Sequence, residues 1–187
     1  MNRFHRWYCR SGVWKKGLTQ RILPWSLDGV ELGQNLLEIG PGPGLTTDYL
    51  RPRFERLTSI EIDPELAGSL RQRLKGTNVT VIEGDATAMP FEDGSFSGAV
   101  SFTMLHHVPS PVLQDRLFAE AHRVLRQGGM FIGTDSTWSR ALQLIHLWDT
   151  MVVVDPGTLA ERLESAGFRD VSVDVGRGLF RFRARRV

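Results

Sequence analysis

Cysteine is almost missing from this chain: Cys9 is the only one in 187 residues. An intrachain disulfide and a cysteine-built zinc cluster are therefore excluded, and no other metal-ligating set stands out in the sequence. No apolar run approaches the roughly 18 residues of a membrane span. No secretory leader pattern is seen either, and the expectation is a soluble cytoplasmic protein. Internal repeats and low-complexity tracts are absent. Acids are missing from both ends. None precedes Pro24, where Arg3, Arg6, Arg10, Lys15, Lys16 and Arg21 lie, and none follows Asp174, where Arg177, Arg181, Arg183, Arg185 and Arg186 lie. Set against a net charge of +2, these eleven charges leave −9 for the middle. Such asymmetry suits a basic surface meeting an anionic substrate, a phospholipid headgroup or RNA, or else arginines that simply point to solvent.

The hydrophobic content, 41%, and the length suit one domain with a sizeable core. Apolar segments near 35–40, 57–62, 79–84, 98–104 and 129–135 read as strands, each followed by a candidate helix, the pattern of a parallel sheet covered on both faces. Ser139 to Met151 reads as an amphipathic helix through Leu142, Ile145 and Leu147. Pro156 to Ala166 reads as a shorter helix stopped by Gly167. Asp170 to Val175 and Leu179 to Arg186 alternate in polarity across Gly176-Arg177-Gly178, so they are expected to form an antiparallel hairpin.

The richest stretch runs from Leu36 to Gly44, where an apolar strand breaks into glycines at 40, 42 and 44. Glycine allows backbone to approach a ligand closely, and Leu45 to Leu50 reads as a helix opening whose N–H groups would face the turn. A dinucleotide fingerprint would place its third glycine at position 45; Leu45 stands there instead. The pattern acid-x-Gly-x-Gly-x-Gly, beginning at Glu38, resembles motif I of the class I S-adenosylmethionine-dependent methyltransferases. Glu61, at a second strand end about twenty residues on, can accept both hydroxyls of a ribose. Asp85, after the third strand, can accept from an adenine amino group. Each acid also has a plainer reading: Glu38 as a brace for the turn, Glu61 as a solvated loop acid, Asp85 as a helix cap.

The resemblance continues through Asp93 to Ser101 and Glu120 to Ile132, and covers about residues 34 to 186. It implies an α/β, Rossmann-like, seven-stranded and mostly parallel sheet with a C-terminal antiparallel hairpin, forming a methyltransferase domain over 34–187 with a helical lid or extension over 1–33. It implies S-adenosyl-L-methionine as cofactor, bound by Glu38, Gly40, Pro41, Gly42, Gly44, Glu61, Ile62, Asp85, Ala86 and Phe102. Residues 103–107, Thr-Met-Leu-His-His, follow the fourth strand. Histidine titrates near neutrality, which makes His106, and after it His107, the candidates for proton transfer; His5, His122 and His146 rank lower. Small-molecule enzymes of the ubiquinone and menaquinone type often carry Leu-His-His here without a settled catalytic role.

Trp7, Tyr8 and Trp14 belong to a basic, aromatic segment that also holds Phe4 and Trp25. Such a segment can form a lid over the acceptor, pack plainly, stack nucleobases or lie on a membrane. The resemblance favours the lid. Motif I with Glu61-Ile62-Asp63-Pro64 also looks like the rRNA adenine dimethylases, but the Asn-Leu-Pro-Tyr-type motif those enzymes place after the fourth strand is missing. The expected partner is therefore a small molecule, an anionic one where the basic ends meet it, accepting the methyl on oxygen or nitrogen, with DNA not expected. An RNA methyltransferase, a cofactor-binding module without turnover and a nicotinamide-dependent oxidoreductase are the rival functions.

Overall fold

The computed structural model describes residues 11–146 and 149–187, the side chains of 141 and 145 aside. Strands β1 (Asn35–Ile39), β2 (Arg56–Glu61), β3 (Val79–Glu83), β4 (Phe96–Phe102), β5 (Leu125–Ser136), β6 (Phe168–Val175) and β7 (Leu179–Arg186) form one sheet in the order β3-β2-β1-β4-β5-β7-β6. The first five are parallel; β7 runs antiparallel between β5 and β6. This is the expected architecture, hairpin included. The chain reverses its direction of strand laying between β1 and β4, and a crevice opens there at the strand carboxyl ends.

Alternation along each strand divides the apolar side chains between two faces. Leu37, Ile39 and Phe131 pack with Phe118, Leu163 and Phe168 on one side, beneath the helices Pro111–Val124 and Pro156–Ser165. Leu36, Val100 and Ile132 pack with Leu18, Ile22 and Leu23 on the other. The N-terminal segment is thus part of a core. Its described part, from residue 11, holds α1 (Gly12–Gly17), a π-helical turn over Leu18–Ile22, and α2 (Leu23–Leu27). Ser11 caps its start by accepting from the Trp14 N–H at 3.2 Å. The remaining helices are α3 (Leu45–Leu50), α4 (Pro64–Arg73), α5 (Pro111–Val124), α6 (Arg140–Ile145) and α7 (Pro156–Ser165). No helix among the described residues is long and apolar enough to cross a membrane.

Three expectations are corrected. The helix expected over 139–151 is the six-residue α6, whose ladder ends at the cap residue His146; beyond it the Asp149 N–H turns back to the His146 carbonyl and the Val152 N–H donates to the His106 carbonyl, both at 2.8 Å. Leu147 lies outside the described residues. Strand β5 starts at Leu125, not near 129, since Leu125 pairs with Phe96 ahead of a register shift in β4. The arginines after Asp174 are largely committed within the molecule. Arg181 donates to the Trp25 carbonyl, stacks on its ring and pairs with Asp174 at 2.8 Å. Arg183, Arg185 and Arg186 donate to the carbonyls of Asp28, Gly128 and Leu125 respectively.

Candidate active site

The β1 carboxyl end sits in the middle of the crevice. There Gly40, Pro41 and Gly42 wall a cavity of ≈ 550 Å³, inside the range of about 300–1,000 Å³ found for small-molecule sites. Gly40 and Gly42 have φ of +69° and +54°. A Cβ on Gly40 would overlap Met104, whereas one on Gly42 would meet no protein atom within 4 Å. The turn is therefore packed from beneath at Gly40 and open at Gly42.

Glu38 stands just before this turn, fully buried and away from the cavity lining. Its carboxyl accepts from the hydroxyls of Thr46, Thr47 at 2.7 Å and Ser59 at 2.6 Å. Burial pushes its pKa up, while those three hydroxyls pull it back. The geometry is that of a brace joining β1, the start of α3 and β2. Glu61 ends β2 and lies on the cavity wall. Its two oxygens accept from the N–H groups of Gly42 at 2.9 Å and Asp63 at 3.0 Å. Each oxygen keeps a further lone pair for a ligand. Ile62, Asp85 and Ala86 line the same side; Asp85 is exposed and accepts from the Thr87 N–H at 2.8 Å, so it shapes its own turn as well.

On the other side of the glycine turn the wall is built from the ends of β4 and β5. Phe102 lines it, followed by Thr103, a β-branched residue held at φ +51° by donating its N–H to the Thr134 carbonyl at 2.7 Å. Such a conformation costs roughly 1–3 kcal/mol, and here it turns the chain into the short helical turn Leu105–His107. Gln114 of α5 holds that turn by donating to the carbonyls of Leu105 at 3.2 Å and Val152 at 2.8 Å. His106 is buried against Asp135. Its Nδ1 lies 2.5 Å from Asp135 Oδ1, and its backbone N–H donates to Oδ2 at 3.1 Å. Burial works against the imidazolium, but the charge and hydrogen bond of Asp135 outweigh it and raise the pKa.

The His106 Nε2 meets the Nε2 of His146, at the end of α6, at 3.2 Å. Burial pushes the His146 pKa down, and the charge of His106 adds to that; a hydrogen bond to the Leu142 carbonyl opposes it. His107 completes a cluster of three imidazoles. Trp14, Leu18, Leu142 and Asp149 close this side of the cavity.

Of the sequence-predicted residues, Gly40, Pro41, Gly42, Glu61, Ile62, Asp85, Ala86, Phe102, His106, His107 and Trp14 all line the one cavity. Glu38 and Gly44 support it from behind. Trp7 and Tyr8 lie outside the described residues. Sequence reasoning missed Asp135, which sits in a strand with no motif around it, and ranked His146 low because its partner is 40 residues away.

The sequence profile of the family described as "Methyltransferase domain" matches residues 37–133, more than half of the chain. The chain belongs to the class I S-adenosylmethionine-dependent methyltransferases. This methyltransferase-family chain is 29% identical over 146 residues to 2-methyl-6-phytyl-1,4-hydroquinone methyltransferase 1 of Oryza sativa subsp. japonica, covering 75% of the chain and 43% of the rice protein. It is 40% identical over 77 residues to the probable ribosomal RNA small subunit methyltransferase A of Thermococcus onnurineus, covering 41% of the chain and 27% of that protein. The chain thus spans less than half the length of these curated relatives. Its fold matches a SAM-dependent methyltransferase from Aquifex aeolicus over 100% of both chains, with a TM-score of 0.75 at 18% identity.

Proposed function

We propose that this chain transfers a methyl group from S-adenosylmethionine to an oxygen or nitrogen of a small molecule. The observation that carries the reading is the open face of Gly42, whose N–H is fixed by Glu61 in a cavity that continues to the His106 cluster. One crevice thereby offers a close-approach backbone and a ribose acceptor on one side and imidazoles on the other.

In this reading Gly40, Pro41, Gly42 and Gly44 shape the cradle for the methionine part, and Glu38 keeps that turn rigid. Glu61 accepts from the ribose hydroxyls, a charge-assisted contact of about 1.5–3 kcal/mol. Ile62, Asp85 and Ala86 receive the adenine, and Phe102 forms the floor beneath the methyl donor. The sulfonium supplies an already activated methyl group, so the chain's main task is orientation and exclusion of water. Positioning of this kind is worth roughly 7–11 kcal/mol. Trp14 and Leu18 cover the acceptor side. Any proton a protonated acceptor must lose is handled at the His106–His107 end of the cavity.

The residues after β4 favour a small-molecule acceptor over rRNA. Thr103 to His107 presents a histidine pair and no amide-and-aromatic set for a flipped base, and the walls around it are apolar at Leu18, Leu113, Leu117 and Leu142. Calorimetry with S-adenosylmethionine, S-adenosylhomocysteine and NAD, followed by a screen of metabolites for S-adenosylhomocysteine release, tests the proposal. Micromolar binding of the sulfonium and release with a soluble acceptor are expected. Tight NAD binding without sulfonium binding refutes the cofactor assignment; turnover on RNA alone refutes the acceptor class.

A further inference from the structure

The ring nitrogens of His106 and His146 are not interchangeable here. The His146 Nδ1 lies 2.8 Å from the Leu142 carbonyl, which can only accept, so this nitrogen carries the proton. The His106 Nδ1 lies against Asp135, whose carboxylate oxygens also accept from the His106 and Ser136 N–H groups. With both Nδ1 atoms donating outward, the two Nε2 atoms of the neutral rings turn lone pairs toward each other at 3.2 Å. Two lone pairs at that distance repel unless a proton, as on the imidazolium that Asp135 favours at His106, or a metal cation lies between them.

That arrangement is the one metal-binding histidines adopt: one ring nitrogen on the ion, the other donating to a carboxylate or a backbone carbonyl. Two imidazoles on a tetrahedral zinc, at Zn–N of roughly 2.0–2.1 Å, have nitrogens about 3.3–3.4 Å apart, close to the separation here. The third imidazole is in place as well. Nitrogens of His106, His107 and His146 all lie within 4.8 Å of one another, with His107 half-buried beside the two buried rings. Asp149 lies on the same wall and adds negative charge.

We propose that His106, His107 and His146 bind a divalent first-row cation of the zinc class at the acceptor end of the cavity, with Asp135 and the Leu142 carbonyl as the partners that orient two of the ligands. Three protein nitrogens leave one tetrahedral position open, as in catalytic rather than structural zinc sites. That position faces the cavity lined by all three histidines. It suits a hydroxyl oxygen of the acceptor, whose pKa falls on coordination and whose proton passes to bulk water. This chemical use rests on the methyltransferase reading; the binding of the ion does not.

The test uses the full chain stripped of metal by chelator and titrated with Zn²⁺ by calorimetry, with Co²⁺ as a spectroscopic substitute. One site per chain is expected, together with a visible tetrahedral cobalt band that zinc displaces. His146→Ala and, independently, His107→Ala are each expected to weaken zinc at least tenfold, while S-adenosylhomocysteine binding stays within a few-fold of the parent. Failure of S-adenosylhomocysteine binding in the parent chain would sink the cofactor reading and leave the metal result standing. The metal site is overturned if neither ion binds, or if binding is untouched by both substitutions. It is equally overturned if nitrogen-15 spectra in zinc-containing buffer show a proton shared between His106 and His146.

Discussion

Adding a single methyl group at Gly42 separates the packing role of the glycine turn from its ligand-facing role. Gly42→Ala must hold φ near +54°, which costs an L-residue about 1–2 kcal/mol, but its Cβ meets no protein atom within 4 Å. For a chain of this size each kcal/mol lowers Tm by roughly 2–4 °C, so a fall of about 2–8 °C is expected. Gly40→Ala carries a similar backbone cost at φ +69° and in addition drives its Cβ into Met104. Displacing packed atoms adds about 1–3 kcal/mol, which makes this the less stable variant by several degrees. Binding should show the larger contrast. A methyl filling the space above Gly42 should weaken S-adenosylhomocysteine at least tenfold, equivalent to about 1.4 kcal/mol, out of proportion to its small effect on folding. Thermal unfolding and calorimetry on the two variants make the comparison. Parent-like affinity in Gly42→Ala would mean that no ligand occupies the face we assign, and a Gly40→Ala protein as stable as Gly42→Ala would mean that the Met104 contact does not constrain the turn.

Glu61→Ala should weaken the cofactor more than tenfold by calorimetry, through loss of a contact of about 1.5–3 kcal/mol; an unchanged Kd would reduce Glu61 to a support for the Gly42 and Asp63 N–H groups. Arg181→Ala removes a hydrogen bond to the Trp25 carbonyl and a ring contact at 4.7 Å. It should cost about 2 kcal/mol in chemical denaturation, and a loss near zero would show the α2–β7 contact to be dispensable. Arg123 hydrogen bonds hold the Glu120 carboxyl below its ordinary value of 4.5. The folded pKa is the lower one, so the stabilisation is present above the unfolded value and lost as pH falls through the folded one. Glu120→Gln should therefore flatten the acid limb of a stability-versus-pH curve, and an identical limb in both proteins would contradict the assignment.

The parts of the fold legible in the sequence are those written in local periodicity. Leu179 to Arg186 announces its strand because Phe180, Phe182 and Ala184 are buried while arginines alternate with them. The same arginines misled, because their acceptors are carbonyls at Trp25, Asp28 and Gly128, and pairing across such distances leaves no local pattern. At the site, the Gly40–Gly42 turn and Glu61 could be read from spacing. The committed hydrogen bonds of Glu38 could not, since the donors Thr46, Thr47 and Ser59 have no motif of their own. Nor could the Asp135 support of His106, because an acid inside an apolar strand becomes informative only when its neighbour in space is known. The short length of α6 was not legible because apolar spacing continues to Leu147, past the point where the helix ends at Ile145.

The insertion of β7 between β5 and β6 has a kinetic consequence. Strand β6 has β7 as its ladder partner and waits for it even though it is made first. The N-terminal helices wait too: their carbonyls at Trp25 and Asp28 are met by guanidinium groups 156 and 155 residues later. Closing loops of that length delays the reward until most of the chain has been synthesised. During that interval Leu18 and Leu23 can already pack on Leu36, Val100 and Ile132 of β1, β4 and β5. Residues 179–186 therefore arrive as a clasp: they add guanidinium contacts to Trp25 and Asp28 over N-terminal helices whose apolar face the earlier strands already cover.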